Sequence, residues 1–420
     1  MAPRPLHPSP ALKPAVSKKA YARVARYGDL RAENAFIHGD NAAALRSFAD
    51  AFRGRFQLIY FDPPYNTGRT FAEYKDRVSA GEWARMIRER LLLLRPTLRE
   101  EGALVAQIGD AEFASLHTLL DETFGRENRV STVTLVRSAA TGHKAKNRGP
   151  VNVSDFLLIY AKNKKKFSPS PMSVRRQGSD PAYSTYLVGR KKAQSAWRFQ
   201  PLRATVATEL GCPTVLAARK ELGPEAFMHE VERFALANAE SVIRFAQPRY
   251  EAVSKKAQEM IDRSKREPER VFTLKRARHP DMILRGGNRI LFLSDKIERD
   301  GDHTYVVEPM TNVWTDIPYQ GIAKEGAVAF SRNKKPEALL LRILQMTTEK
   351  ADWVMDPFAG SGTTCAVAHK ASRNWVGIEK GPHLKDLCVP RLRRVVSGVD
   401  DTGVSGVTGF SGGGGFVVYA

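Results

Sequence analysis

The sequence predicts an α/β protein: a doubly wound, largely parallel sheet interrupted by an inserted module. Three observations carry this reading. From about residue 35, short apolar segments alternate with amphipathic ones, in the order AFIHGD, NAAALRSFADAF, QLIYFD, AGEWARMIRERLLLLRPTL and GALVAQIGD, as in strands joined by crossover helices. The strand at 57–61 is a continuous apolar run rather than an alternating one, as expected where helices cover both faces of a parallel sheet. After a long basic stretch the alternation resumes in ADWVMDPFAGSGTTCAVAHKASRNWVGIEKG, residues 351–381.

Residues 1–34 open with MAPRPLHPSPALKPAVSKKA, which lacks the apolar centre of a secretory signal and reads as a flexible basic tail. Residues 35–165 make the first half of the sheet domain, with further strands expected at STVTLVR (131–137) and DFLLIYAKN (155–163). Between these strands, SAATGHKAKNRGP sets Lys144, Lys146 and Arg148 in a Gly- and Pro-punctuated loop. Such a loop can grip phosphates or simply be solvated. KNKKKFSPSPMSVRRQ marks a basic boundary, and 166–305 reads as the inserted module. A mainly helical module is expected, because Phe227, Val231, Phe234, Val242 and Phe245 fit steps of three and four along one face that only Asn238 interrupts. NRILFLSDKI then returns to strand. Residues 306–400 supply the second half of the sheet domain. Residues 401–420, ending SGGGGFVVYA, join a flexible Gly run to a short strand candidate or a disordered end.

A chain of 420 residues exceeds what one ordinary core organises, in keeping with a domain plus insertion. Hydrophobic residues make up 42% and charged ones 26%, and no apolar run reaches the ~20 residues of a spanning helix, which argues against a membrane protein. Cys212, Cys365 and Cys388 have no spacing suited to a disulfide framework or zinc site, so a reducing compartment and no metal are expected. The formal charge of +21 calls for a polyanion, with nucleic acid the natural partner, or serves solubility alone.

QLIYFDPPYNTG, residues 57–68, drives a buried strand into Asp62, Pro63, Pro64 and Tyr65. A turn explains the first three, since proline cannot continue a ladder and Asp favours turns. It does not explain Tyr65. In VMDPFAGSGTT a strand ends at Asp356, a turn runs through Gly360 and Gly362, and a helix starts near Thr363. That arrangement presents backbone N–H groups to an anionic ligand group. A nicotinamide fold would place a third glycine where Cys365 stands, and the Gly-Lys-Ser/Thr of a P-loop is absent. NWVGIEK ends at Glu379, spaced so that its carboxylate can accept from both ribose hydroxyls of a nucleoside cofactor; the alternative is a plain surface glutamate. FIHGD puts Asp40 at another strand tip, where it can meet an adenine amino group, although Gly-Asp-Asn is also common turn chemistry.

Together, DPPY and DPFAGSGTT resemble the S-adenosylmethionine-dependent amino-methyltransferases of DNA. DPPY precedes the glycine loop with a basic module between, which resembles the beta-class, circularly permuted arrangement. LIYFDPPYNTG, LREEGALVAQIGDAEFASLHTLLDETFG, TNVWTDI, NKKPEALLLRIL and GGGGFVVY are similar to strings in the modification (Mod) subunits of type III restriction systems and their stand-alone relatives. The likeness spans about 35–165 and 306–420 and is fainter within the module. QIGD departs from the Ser-Ile-Asp-Asp string of such enzymes, so no role is assigned to Asp110.

The resemblance implies a Rossmann-like methyltransferase sheet, circularly permuted, with an inserted target-recognition module. It implies S-adenosylmethionine as cofactor, with Phe358, Gly360 and Gly362 lining its pocket beside Asp356 and Thr363 of the same loop. Glu379 would hold the ribose, Asp40 the adenine, and Lys335 and Pro336 would close over the methionine end. Double-stranded DNA is the implied substrate, gripped through Lys144, Lys146 and Arg148. A homodimer, a restriction (nuclease or helicase) subunit as partner, and a bacterial or phage-encoded cytoplasmic setting also follow from it. An exocyclic base amine is a poor nucleophile because its lone pair is delocalised into the ring. Asp62 and the Pro63 carbonyl can accept its two N–H groups and turn that lone pair out of plane, Pro63 and Pro64 holding their carbonyls inward, while Tyr65 stacks on the extruded base. Asp in this tetrapeptide resembles the adenine-N6 enzymes, whereas N4-cytosine relatives more often carry Ser. The rivals are N4 of cytosine, RNA, a protein glutamine, or a catalytically silent DNA-binding subunit.

Overall fold

The computed structural model describes residues 21–29, 31–66, 78–139, 149–176, 178, 180–277, 279–301, 303–328 and 334–420. Most of the N-terminal tail, and the loop bearing Lys144, Lys146 and Arg148, lie outside them. The chain divides into two compact units, one of residues 1–171 and 311–420, the other of residues 172–310.

The first unit is built on a ten-stranded sheet. In chain order its strands are β1 (Arg23–Gly28), β2 (Ala35–His38), β3 (Phe56–Phe61), β4 (Leu98–Ile108), β5 (Arg129–Val136), β6 (Ser154–Ala161), β7 (Val313–Trp314), β8 (Trp353–Asp356), β9 (Asn374–Glu379) and β10 (Gly415–Tyr419). Across the sheet the order is β1-β10-β2-β9-β8-β3-β4-β6-β5-β7. From β10 to β4 every pairing is parallel, whereas β6 runs antiparallel to both β4 and β5. All six residues of β3 are buried, as its continuous apolar run requires of a central strand. The helix Ala80–Leu94 begins in a capping box between Ser79 and Glu82, and Trp83, Ile87, Leu91 and Leu94 recur at helical spacing to join the main core.

One terminal expectation is corrected, and of the two readings of the other end the structure has the strand. Within residues 1–34, Arg23–Gly28 is not tail but the strand β1, antiparallel to β10. The Gly-rich end is a sheet strand too: every residue of β10 is buried, and it lies between β1 and β2. Gly412, Gly413 and Gly414 have φ of 108°, 104° and 72°, so the run makes a turn only glycine adopts without strain, where composition alone reads as flexibility.

The second unit, expected to be mainly helical, is mixed. Six antiparallel strands form one sheet, in the order Val271–Leu274, Met282–Arg285, Asn288–Phe292, Val242–Ala246, Thr185–Val188 and Arg198–Pro201. Ile297–Asp300, His303–Pro309 and Ser173–Arg175 form another. Four helices accompany them: Leu202–Glu209, Val215–Leu222, Pro224–Ala237 and Lys255–Arg266. The helical face read through residue 245 stops at Ala237, and Val242 and Phe245 belong to a strand. A step of three keeps a helix face but reverses a strand face. Val242 is accordingly 0% exposed and Phe245 38%.

Candidate active site

Four neighbouring parallel strands, β2, β9, β8 and β3, bring their carboxyl ends to one edge of the sheet. Asp356 ends β8, Glu379 ends β9, Asp62 follows β3, and Asp40 lies two residues beyond β2. The crevice outside the carboxyl ends of parallel strands is where open α/β sheets bind ligands. Here a cavity of about 550 Å³ is lined by these four carboxylates together with Pro63, Pro64, Tyr65, Lys335, Phe358, Gly360 and Thr363. Gly362 and Pro336, expected at the pocket, are not among its lining residues; each is the N-cap of a helix. A larger cavity of about 810 Å³ belongs to the second unit and contains none of these residues.

Asp62 is ion-paired with Lys335, and the Tyr65 hydroxyl lies within hydrogen-bonding reach of the same carboxylate. Nζ of Lys335 lies 2.8 Å from its Oδ2 and 5.1 Å from the centre of the Tyr65 ring. Oδ1 is buried and, among the described residues, has no hydrogen-bond partner of good geometry. Burial pushes the carboxyl pKa up and the Lys335 ammonium opposes that rise. One expectation changes here. The Pro64 carbonyl does not point inward: it accepts from the indole Nε1 of Trp83 at 2.7 Å, which pins the turn to the core helix.

Tyr65 is oriented by a residue the sequence reading missed. Its hydroxyl donates to Oδ2 of Asp155 at 3.3 Å, and Gln107 Nε2 donates to the same oxygen at 3.1 Å. Arg137 Nε lies 2.9 Å from Asp155 Oδ1, and the Tyr60 hydroxyl donates to Gln107 Oε1 at 2.5 Å. Burial, followed by the charges of Asp62 and Asp155, pushes the Tyr65 phenol well up, so it stays protonated and able to donate. Gly109 leaves room for the ring, since a Cβ there would meet it at 3.0 Å.

The glycine loop faces Glu379. Gly360 N–H donates to Oε2 at 2.9 Å and Gly381 N–H to Oε1 at 2.8 Å, so each carboxylate oxygen keeps acceptor capacity toward the cavity. Gly360 and Gly362 have φ of 51° and 73°, a backbone that favours glycine. Asp356 accepts from Phe358 N–H at 3.0 Å, and burial lifts its pKa to about 7. Asp40 is the N-cap of the helix Asn41–Ser47, accepting from Ala43 N–H at 3.1 Å, while its other oxygen lies 3.1 Å from Arg90. The helix-cap reading of Gly-Asp-Asn is therefore realised, in a residue that also lines the cavity.

Behind the loop lies a buried ionic cluster. Glu337, Lys370 and Arg391 are all 0% exposed at the side chain. Glu337 accepts from Lys370 at 2.9 Å, Arg391 at 2.7 Å and Val404 N–H at 3.0 Å, and Lys370 also pairs with Asp400 at 2.9 Å. Arg391 reaches on to the Ser361 carbonyl at 3.2 Å and the Thr363 hydroxyl at 2.7 Å, both in the glycine loop. Charges this deep persist only when paired and hydrogen-bonded. Among the described residues no group of three or more His, Cys, Asp or Glu side chains could hold a metal ion, and no helix is long and apolar enough to cross a membrane.

The chain is 29% identical over 425 residues to the "Probable type III restriction-modification enzyme HindVI Mod subunit" of Haemophilus influenzae, a match covering 95% of this chain and 55% of that protein. It is 34% identical over 147 residues to the type II methyltransferase M.EcaI of Enterobacter cloacae, covering 34% of this chain and 32% of that one. Among solved structures, the PvuII DNA methyltransferase (cytosine-N4-specific) aligns over 90% of this chain and 92% of its own at 13% identity, with a TM-score of 0.43. The chain spans about half or less of the length of the curated relatives it matches. A family model described as DNA methylase matches residues 56–389, from the first residue of β3 through the glycine loop and Glu379, and the chain belongs to that family.

Proposed function

We propose that this chain transfers a methyl group from S-adenosylmethionine to the N6 amine of an adenine turned out of double-stranded DNA, at sites chosen by the second unit. The observation that carries this reading is the state of Asp62: Lys335 engages Oδ2, and Oδ1 is a buried acceptor that, among the described residues, has no hydrogen-bond partner of good geometry. A buried acceptor left unmatched is costly, and an amine N–H is what would satisfy it.

The residues fit the cofactor. Glu379 presents its two carboxylate oxygens at the cavity, each accepting one backbone N–H and Oε1 lying 3.6 Å from His383 Nε2, and a carboxylate so placed suits a ribose diol. Phe358 and Asp40 line the same cavity. S-adenosylmethionine supplies, when bound, an electrophilic methyl group on a sulfonium. Asp62 Oδ1 accepts one N–H of the target amine and the Pro63 carbonyl the other, which localises the nitrogen lone pair. Tyr65, fixed by Asp155, offers its ring to the extruded base and recovers part of the unstacking cost. Most of the acceleration comes from holding amine and methyl donor in reacting geometry.

The order of DPPY before the glycine loop supports a circularly permuted, beta-class arrangement. The similarity to Mod subunits supports a restriction subunit as partner, and the family resemblance a homodimer. The basic residues Lys144, Lys146 and Arg148 are proposed to contact DNA phosphates. The test of the core reading is incorporation of tritium from methyl-labelled cofactor into DNA. Wild type should label DNA, and Asp62→Ala should lose at least about a hundredfold in rate while still binding cofactor. Near-normal labelling by Asp62→Ala would refute the assignment.

A further inference from the structure

The Lys335–Asp62 pair supports a step that rests on the function proposed above and goes beyond it. The family resemblance places Lys335 against the cofactor, yet its Nζ is on Asp62 and over Tyr65. Lys335 precedes Pro336, the N-cap of the helix Glu337–Thr347. The Glu337 N–H already donates to Glu325 Oε2 at 3.0 Å, and the Glu337 side chain is clamped by Lys370 and Arg391.

We propose that Lys335 is a positioning residue for the methyl-accepting half of the site: by engaging Oδ2 it holds Asp62 as an anion and leaves Oδ1 as the acceptor for the amine N–H. The surroundings explain the need for a cation. Asp62 faces Asp155 from β6 and Asp356 from β8, together with the hydroxyls of Tyr60, Tyr65 and Tyr319, while Arg137 is engaged with Asp155. Burial, and then the charge of Asp155, favour a proton on Asp62; Lys335 opposes them most strongly, followed by the Tyr65 hydroxyl. A proton on Oδ1 would turn the acceptor into a donor and end its use toward an amine.

The experiment compares full-length wild type, Lys335→Gln and Lys335→Arg in three measurements. Methyl-transfer kcat is followed from about pH 6 to about pH 9. In Lys335→Gln the acid limb should move to higher pH, so that the ratio of alkaline to acid rates grows roughly tenfold, and Lys335→Arg should restore the wild-type profile. Calorimetric binding of S-adenosylmethionine without DNA should change less than about threefold in Lys335→Gln, well under the tenfold that 1.4 kcal/mol represents. The third measurement needs no activity: the thermal stability lost in Lys335→Gln should shrink as pH falls and Asp62 takes up a proton, and adding Asp62→Asn should abolish that pH dependence. Lys335→Met, which keeps the apolar stem, gives the same readouts if the Gln variant does not fold. An unchanged pH profile with cofactor binding weakened tenfold or more would overturn the proposal and return Lys335 to the cofactor. A pH-independent stability loss would overturn it as well. Wild type that transfers no methyl group defeats the function proposed above, whereas the stability measurement still decides the role of Lys335.

Discussion

At the scale of single residues, the site depends on which atoms are already engaged. Asp62 has one engaged and one available oxygen, Glu379 has both oxygens half engaged, and Asp40 has both oxygens in use. Tyr65 separates two contributions of one side chain. Its ring is the stacking surface, and its hydroxyl is the tether to Asp155. Tyr65→Ala should cost about 1–3 kcal/mol in kcat/KM for DNA, the usual worth of a base–aromatic stack. Tyr65→Phe keeps the ring and should lose less than about tenfold, one hydrogen bond being worth roughly 1 kcal/mol. Equal losses in the two variants would show that the hydroxyl, not the ring, carries the effect. Asp62, Pro63 and Tyr65 were legible in the sequence because they form one contiguous stretch at a strand end. Asp155 was not, because it opens an antiparallel strand nearly a hundred residues on and reaches the same edge only through the reversed direction of β6.

At the scale of elements, the strand-turn-helix around Asp356 ties the site to stability. The Asp356 carboxyl has its pKa lifted to about 7 by burial, so its folded-state pKa stands above its unfolded one. The group's contribution is therefore most favourable at low pH and is lost as pH rises through about 7, where a buried charge must be carried. Asp356→Asn keeps an oxygen for the Phe358 N–H and removes that charge. Its melting temperature should exceed that of wild type above about pH 7, and the gap should close as pH falls toward about 5. A gap that widens in acid would contradict the assignment. The glycine loop itself could be read from its Gly spacing after an apolar strand. The Glu337–Lys370–Arg391 cluster behind it could not, since its members are far apart in sequence and each looks like an ordinary helix charge.

At the scale of the whole molecule, the alternation of strands and helices revealed the parallel sheet, and the basic stretch revealed the insertion. The N-terminal strand was missed and the C-terminal one was left open against a disordered end, for a shared physical reason. β1 and β10 are short strands flanked by residues typical of flexible segments; β1 pairs with β10, and β10 also with β2, pairings across the length of the chain that no local pattern announces. The module misled because a helical step of three or four continued by chance into a strand. The first unit brings residues from β2, β3, β8 and β9 together at one sheet edge, in a cavity that holds a carboxylate with an acceptor to offer. The most direct test of that account is to incubate the full chain with S-adenosylmethionine and double-stranded DNA, digest the DNA to nucleosides and identify the modified one by mass spectrometry. The account predicts N6-methyldeoxyadenosine from wild type and none from Asp62→Ala. N4-methyldeoxycytidine, or no methylated nucleoside at all, would contradict it.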